Sequence, residues 1–127
     1  MKTNRCVLMC SIIAGYLLAI QPAEAQDPVK VAPQAFTVKI DNARTRVLAY
    51  HSKPGEKEAM HSHPAGVLYC VSAGKFKSTT ADGKSTVTEY KAGDVVWRDA
   101  ITHSGENVGT TELSAILVEF KGASKKK

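Results

Sequence analysis

The sequence predicts an all-β domain of the jelly-roll or small-barrel type. Apolar and polar residues alternate with a period of two over most of residues 35–121, the signature of strands with one face inward. Turn signals punctuate that alternation at Asp41-Asn42, Pro54-Gly55, Asp82-Gly83 and Gly93-Asp94, roughly every 8–12 residues. No window of this region repeats apolar residues at helical spacing. About eight to ten short strands result, and a closed or double-sheet arrangement is how so many hide their edges.

The 127-residue chain has room for one domain. It opens with Lys2 and Arg5, an apolar run from Cys6 to Ile20, and Gln21-Pro22-Ala23-Glu24-Ala25. This is the three-part form of a signal peptide over residues 1–25, with cleavage expected after Ala25. The run is short for a permanent bilayer span, which needs about 20 apolar residues. A periplasmic or secreted location is expected. Cys6 and Cys10 leave with the signal, so Cys70 is the mature chain's one thiol. No internal disulfide is then possible, and a lone thiol in an apolar run is expected to be buried.

Removal of Lys2, Arg5 and Glu24 takes the formal charge from +5 to +4, and Lys125, Lys126 and Lys127 supply most of it. The high isoelectric point belongs to a basic tail over 122–127. No stretch mixes arginine with aromatic residues as a nucleic-acid surface does, so no nucleic-acid partner is expected.

Residues 26–34, with Pro28 and Pro33, read as a flexible lead-in. Phe36, Val38 and Ile40 then alternate with polar neighbours, as do Thr45, Val47 and Ala49 after the Asp41-Asn42 turn. After Lys53-Pro54-Gly55 a strand carries His61 and His63 and breaks at Pro64-Ala65-Gly66. Strands follow over 67–72, 75–80, 85–90, 95–98 and 103–107. The last, over 111–121, sets Leu113, Ala115, Leu117 and Glu119 against Ser114, Ile116, Val118 and Phe120.

His61 and His63 are two apart on a strand, so both imidazoles project to one face. That is a chelate for one metal ion, and imidazole suits the first-row transition metals. An isolated pair of this kind is more often a polar surface feature. Here a third histidine, His103, lies in another strand region. The fourth, His51, ends a strand before Pro54 and reads as a surface residue or a group supporting the site.

The spacing around these histidines resembles the cupin family. The first cupin motif reads G-x5-H-x-H-x(3,4)-E-x6-G, and Gly55, His61, His63 and Gly74 fall on it. The second begins at Gly93 and ends at His103 and Asn107, with Asp99 where proline is expected and a loop one residue shorter. The resemblance spans Gly55 to Asn107. It implies a β-barrel holding one divalent transition metal on His61, His63 and His103: iron first, with manganese, nickel, copper, zinc or cobalt also fitting. Val67 stands at the usual glutamate position, and Leu68 at the alternative one. Some cupin dioxygenases resemble this chain in using three histidines. A homodimer is likewise implied.

The resemblance therefore points to a metal-dependent, dioxygenase-like enzyme acting on a small metal-chelating molecule. A non-enzymatic binding or sensing module is the alternative, and a metal-dependent isomerase or lyase a further one. Tyr69, two residues beyond Val67, is expected to face the barrel mouth as a hydrogen-bond donor, or else to pack in the core. Trp97 is expected to pack, and Arg98 to be a solvated strand-end charge or else to reach an anionic substrate. Asp99 and Glu106 flank His103 and are the nearest carboxylates in sequence that could orient it or ligate. No nucleophile elbow or phosphate-binding glycine loop is present.

Overall fold

The computed structural model describes residues 26–122. The expected signal peptide over 1–25, Cys6, Cys10 and the three terminal lysines lie outside that range. Nine antiparallel strands form two sheets. They are β1 (Phe36–Asp41), β2 (Thr45–Ser52), β3 (Lys57–His63), β4 (Gly66–Cys70), β5 (Gly74–Thr80), β6 (Ser85–Tyr90), β7 (Val95–Arg98), β8 (Ile101–Asn107) and β9 (Leu113–Phe120). One sheet runs β1-β2-β9-β4-β7 and the other β3-β8-β5-β6. The all-β jelly-roll expectation holds.

Strand alternation makes the interior. On β9, Leu113, Ala115, Leu117 and Glu119 are buried. On β4 the inward set is Gly66, Leu68 and Cys70. Of these, Leu68, Cys70, Ala115 and Leu117 join Phe36, Leu48, Ala32 and Ala35 in the main apolar cluster. The facing sheet supplies polar groups instead: Glu58, His61, His63, His103 and Asn107 are all buried. The interior thus has an apolar wall and an imidazole-rich wall.

Residues 26–34 are not a loose lead-in. Asp27 caps a one-turn helix, α1 (Pro28–Val31), by accepting from the Val29 amide at 2.9 Å. Proline at the first helical position suits that turn rather than breaking it. Pro28 and Ala32 are buried, and the Gln26 carbonyl accepts from the Ser62 amide at 2.9 Å. The segment is pinned to β3 beside the histidines.

Asn107, where the second motif ends, is fully buried and ties loops together. Its amide donates to the Ser52 and Thr111 carbonyls at 2.9 Å each, and its oxygen accepts from Gly109 at 3.0 Å.

Pairing of β3 with β8 places the site. His61 lies directly across from His103, while Glu58 lies across from Gly105. Three steps along β3 thus match two along β8, so β3 carries a bulge at Ala59-Met60. An odd separation on a regular strand would put Glu58 and His61 on opposite faces. The bulge brings both inside.

Gly66 tests how closely the sheets are built. A Cβ there would collide with the Val118 carbonyl oxygen on β9. Gly66→Ala is expected to cost at least about 2 kcal/mol, read as a lower urea midpoint with an unchanged slope.

Candidate metal centre

The three histidines converge as the sequence predicts. His61 is completely buried and His63 and His103 nearly so. One ring nitrogen from each lies within 4.8 Å of the others. The ring centroids are 4.8 Å (His61 to His63), 4.9 Å (His61 to His103) and 5.6 Å (His63 to His103) apart.

Each ring is oriented through Nδ1. His61 Nδ1 donates to the Ala59 carbonyl at 2.7 Å, a group that the bulge turns toward it. His63 Nδ1 donates to Glu119 Oε1 at 2.6 Å. His103 Nδ1 shares a hydrogen bond with Ser78 Oγ at 2.7 Å. Nε2 is then the free donor on His61 and His63, and on His103 when its Nδ1 donates to the Ser78 hydroxyl. At His61 and His103 that atom is buried with no hydrogen-bond partner. A buried nitrogen lone pair without a partner is costly, and a metal ion removes that cost. The neutral donor set fits a first-row divalent ion, with second-layer hydrogen bonds holding each ring.

Glu119 is itself anchored. Arg46 Nε donates to its Oε2 at 2.8 Å, and Arg46 Nη1 pairs with Asp27 at 2.6 Å. A chain of charges runs from the cap of α1 to His63. Burial opposes the ionised form of Glu119, but hydrogen bonds from His63 and Arg46 outweigh it and hold the carboxyl below its ordinary pKa.

A cavity of about 50 Å³ adjoins the rings, room for about three to five water-sized groups. Leu68, Leu117 and Phe76 supply its apolar wall, and Arg98 and Tyr90 also line it. Arg98 is not a solvated strand end. It alternates in phase with the half-buried Val96 on β7 and turns inward. It forms no side-chain hydrogen bond or ion pair among the described residues, and burial lowers its pKa against the pull of Glu119, Tyr90 and Glu58.

Other expectations fail on strand facing. Tyr69 does not face the barrel mouth. It is 46% exposed, because β4 turns Leu68 and Cys70 inward and leaves Val67 and Tyr69 on the outer side. Val67 therefore forms no part of the cavity wall, and Leu68 is the residue of that pair that faces it. Trp97 packs, on the outside, against Phe120. Asp99 accepts from the Trp97 indole at 3.0 Å and Glu106 faces Lys57 at 3.8 Å, so neither orients a histidine. His51 is exposed and pairs with Glu112 at 3.1 Å, in keeping with a surface residue. Cys70 is buried, as expected, and burial raises its thiol pKa.

Two other carboxylates are buried near the histidines, Glu119 and Glu58, and Glu119 orients His63. Glu119 was legible, being in phase with Leu113, Ala115 and Leu117. Glu58 was not, because the bulge reverses its side. Tyr50 donates to Glu58 Oε1 at 2.5 Å, while Glu58 Oε2 is buried without a partner, 3.9 Å from His61 Nε2.

Burial lowers the pKa of His61, that of His63 to about 4, and that of His103 to about 3, where the neighbouring imidazoles add to the effect. All three rings are neutral at pH 7 and ready to ligate. In the unfolded chain they titrate near 6.5. Between that value and about 4 the unfolded state binds more protons, so stability falls as pH falls. Burial raises the Glu58 pKa, which works in the opposite sense, so the test is comparative. The melting temperature of the metal-free chain should drop less steeply from pH 6.5 to 4 in His103→Gln than in the wild type. Parallel profiles would refute the assignment of that slope to His103.

No family model and no curated protein matches the chain in sequence. Solved structures do match it. A cupin domain from Bordetella pertussis is 27% identical over 68% of this chain and 92% of its own, with a TM-score of 0.63. An uncharacterized protein with a double-stranded β-helix domain from Klebsiella pneumoniae is 23% identical over 81% of this chain and 84% of its own, with a TM-score of 0.55. An RmlC-like cupin from Methanocaldococcus jannaschii is 17% identical over 67% and 79%, with a TM-score of 0.52. Two antiparallel sheets, three histidines facing one interior and these neighbours agree: the chain is a cupin-superfamily protein of the small, cupin-2-like kind.

Proposed function

We propose that this cupin is an exported, mononuclear metal-dependent oxygenase acting on a small anionic molecule that chelates its metal. The observation that carries the reading is the set of three buried, converging histidines, with Nε2 of His61 and of His103 buried and unpartnered. His61, His63 and His103 would hold the ion, iron first among the candidates. A bound divalent ion supplies a Lewis acid and, if iron, one-electron chemistry with dioxygen.

The chain's own residues set what can enter. The Arg98 guanidinium faces the cavity without a protein partner, so it favours a substrate carrying a carboxylate, enolate or thiolate. Leu68, Leu117 and Phe76 exclude water and strengthen that attraction. Glu119, braced by Arg46, fixes the His63 ring so that its Nε2 does not wander. The cavity volume limits the reacting part of the substrate to a few heavy atoms.

Oxygen uptake with a panel of thiols, diketones and phenolics tests the reading. Uptake should require iron, vanish in His103→Ala, and show a KM raised at least about tenfold in Arg98→Met with a smaller change in kcat. Tight retention of a ligand without turnover would favour a binding or sensing module, and turnover without oxygen an isomerase or lyase. Export is tested by N-terminal sequencing of the mature protein, which should begin at Gln26.

A homodimer belongs to the same proposal. One apolar row crosses the outer face of the five-stranded sheet through Ile40, Val47, Val118, Val67 and Trp97, each paired with the next. Ile40 and Trp97 are both more than half exposed, and an exposed apolar row of this kind can be covered by the same row of a second copy about a two-fold axis. Light scattering should find a dimer that Trp97→Lys converts to monomer. A monomeric wild type would refute it.

A further inference from the structure

We infer that Glu58 is a fourth donor to the metal, completing a site of three histidines and one carboxylate. The inference rests on the three-histidine reading and extends it.

Glu58 Oε2 lies 3.9 Å from His61 Nε2. Metal–nitrogen and metal–oxygen bonds of about 2.0–2.2 Å allow two donors on one ion to be as much as about 4.2 Å apart. Both atoms are buried and neither has a hydrogen-bond partner. The other oxygen, Oε1, is occupied by the Tyr50 hydroxyl, so one end of the carboxylate is clamped and the other is free. The carboxylate also has a space made for it. Gly105 sits across the β3–β8 ladder from Glu58, and a Cβ there would collide with Oε2 and with the Phe76 ring.

Charge gives the same answer. Three neutral imidazoles leave a divalent ion's charge uncompensated in a buried cavity, which is costly. Glu119 is already engaged by Arg46 and His63. Glu58 is the remaining buried carboxylate among the described residues. Its contribution comes through the bulge, since only there can a residue three before His61 share its face.

The test is Co²⁺ binding to the full chain, read by chelator competition and by the visible spectrum, which reports the donor set without needing a substrate. Glu58→Gln keeps the shape and an acceptor for Tyr50 but removes the anionic oxygen. It should weaken Co²⁺ binding at least about tenfold and shift the visible bands. Tyr50→Phe, which leaves every donor in place but frees the carboxylate, should show a smaller loss in the same direction, and it serves if Glu58→Gln fails to fold. His61→Ala is the control for the underlying reading. If it weakens binding while Glu58→Gln and Tyr50→Phe match the wild type in affinity and spectrum, Glu58 is no donor and the three-histidine site stands. If His61→Ala binds as the wild type does, the three-histidine reading fails and takes this inference with it.

Discussion

The pairing of β3 with β8, and the bulge within it, is the constraint on which the site depends. The ladder sets His61 across from His103, so two ligand candidates from distant parts of the chain meet by backbone hydrogen bonding alone. The bulge then does two things at once. It turns the Ala59 carbonyl toward His61, which fixes that ring's tautomer with Nε2 free. It also reverses the side of Glu58, placing a carboxylate beside the ring. A bulge costs a ladder hydrogen bond and adds local twist, and here that irregularity is where the polar groups are assembled.

The second organising feature is the split interior. Leu48, Leu68, Ala115 and Leu117 on one sheet provide the packed core, while the other sheet buries imidazoles and carboxylates. A chain without an internal disulfide among its described residues must draw its stability from packing, and the apolar wall does so. The polar wall is kept affordable by pairing: Glu119 with Arg46 and His63, Glu58 with Tyr50, Asn107 with the loop carbonyls. What that wall leaves unpaired is concentrated in one place, at His61 Nε2, His103 Nε2 and Glu58 Oε2, and Arg98 faces the cavity that Glu58 and His103 line. Residual polarity collected at one point is the mark of a site that binds something.

The residues most readily read from sequence were those governed by local geometry. His61 and His63 share a face because a strand alternates, and the turns at Pro54-Gly55 and Gly93-Asp94 have their own chemistry, with Gly55 and Gly93 both at positive φ. Misreadings arose where facing depends on register. Tyr69 was placed inside by taking Val67 as an inward position, and the true phase of β4 is set by its pairing with β9, which points Leu68 in. Arg98 reads as a strand end, yet on the edge strand β7 it alternates in phase with Val96 and lines the cavity. The stretch over 26–34 lacks a period long enough to notice, and its order comes from contacts with β2 and β3 rather than from propensity.

The sequence by itself determined the all-β class, the positions of the strands and the three histidines of the site, because period-two alternation, turn residues and a His-x-His spacing are local properties. Only the tertiary structure decided which carboxylates and which cation join them. Glu58, Glu119 and Arg98 lie far apart along the chain, and each reaches the interior through a register, a bulge or a sheet edge. Those features arise from pairing between distant strands, which no single stretch of sequence contains.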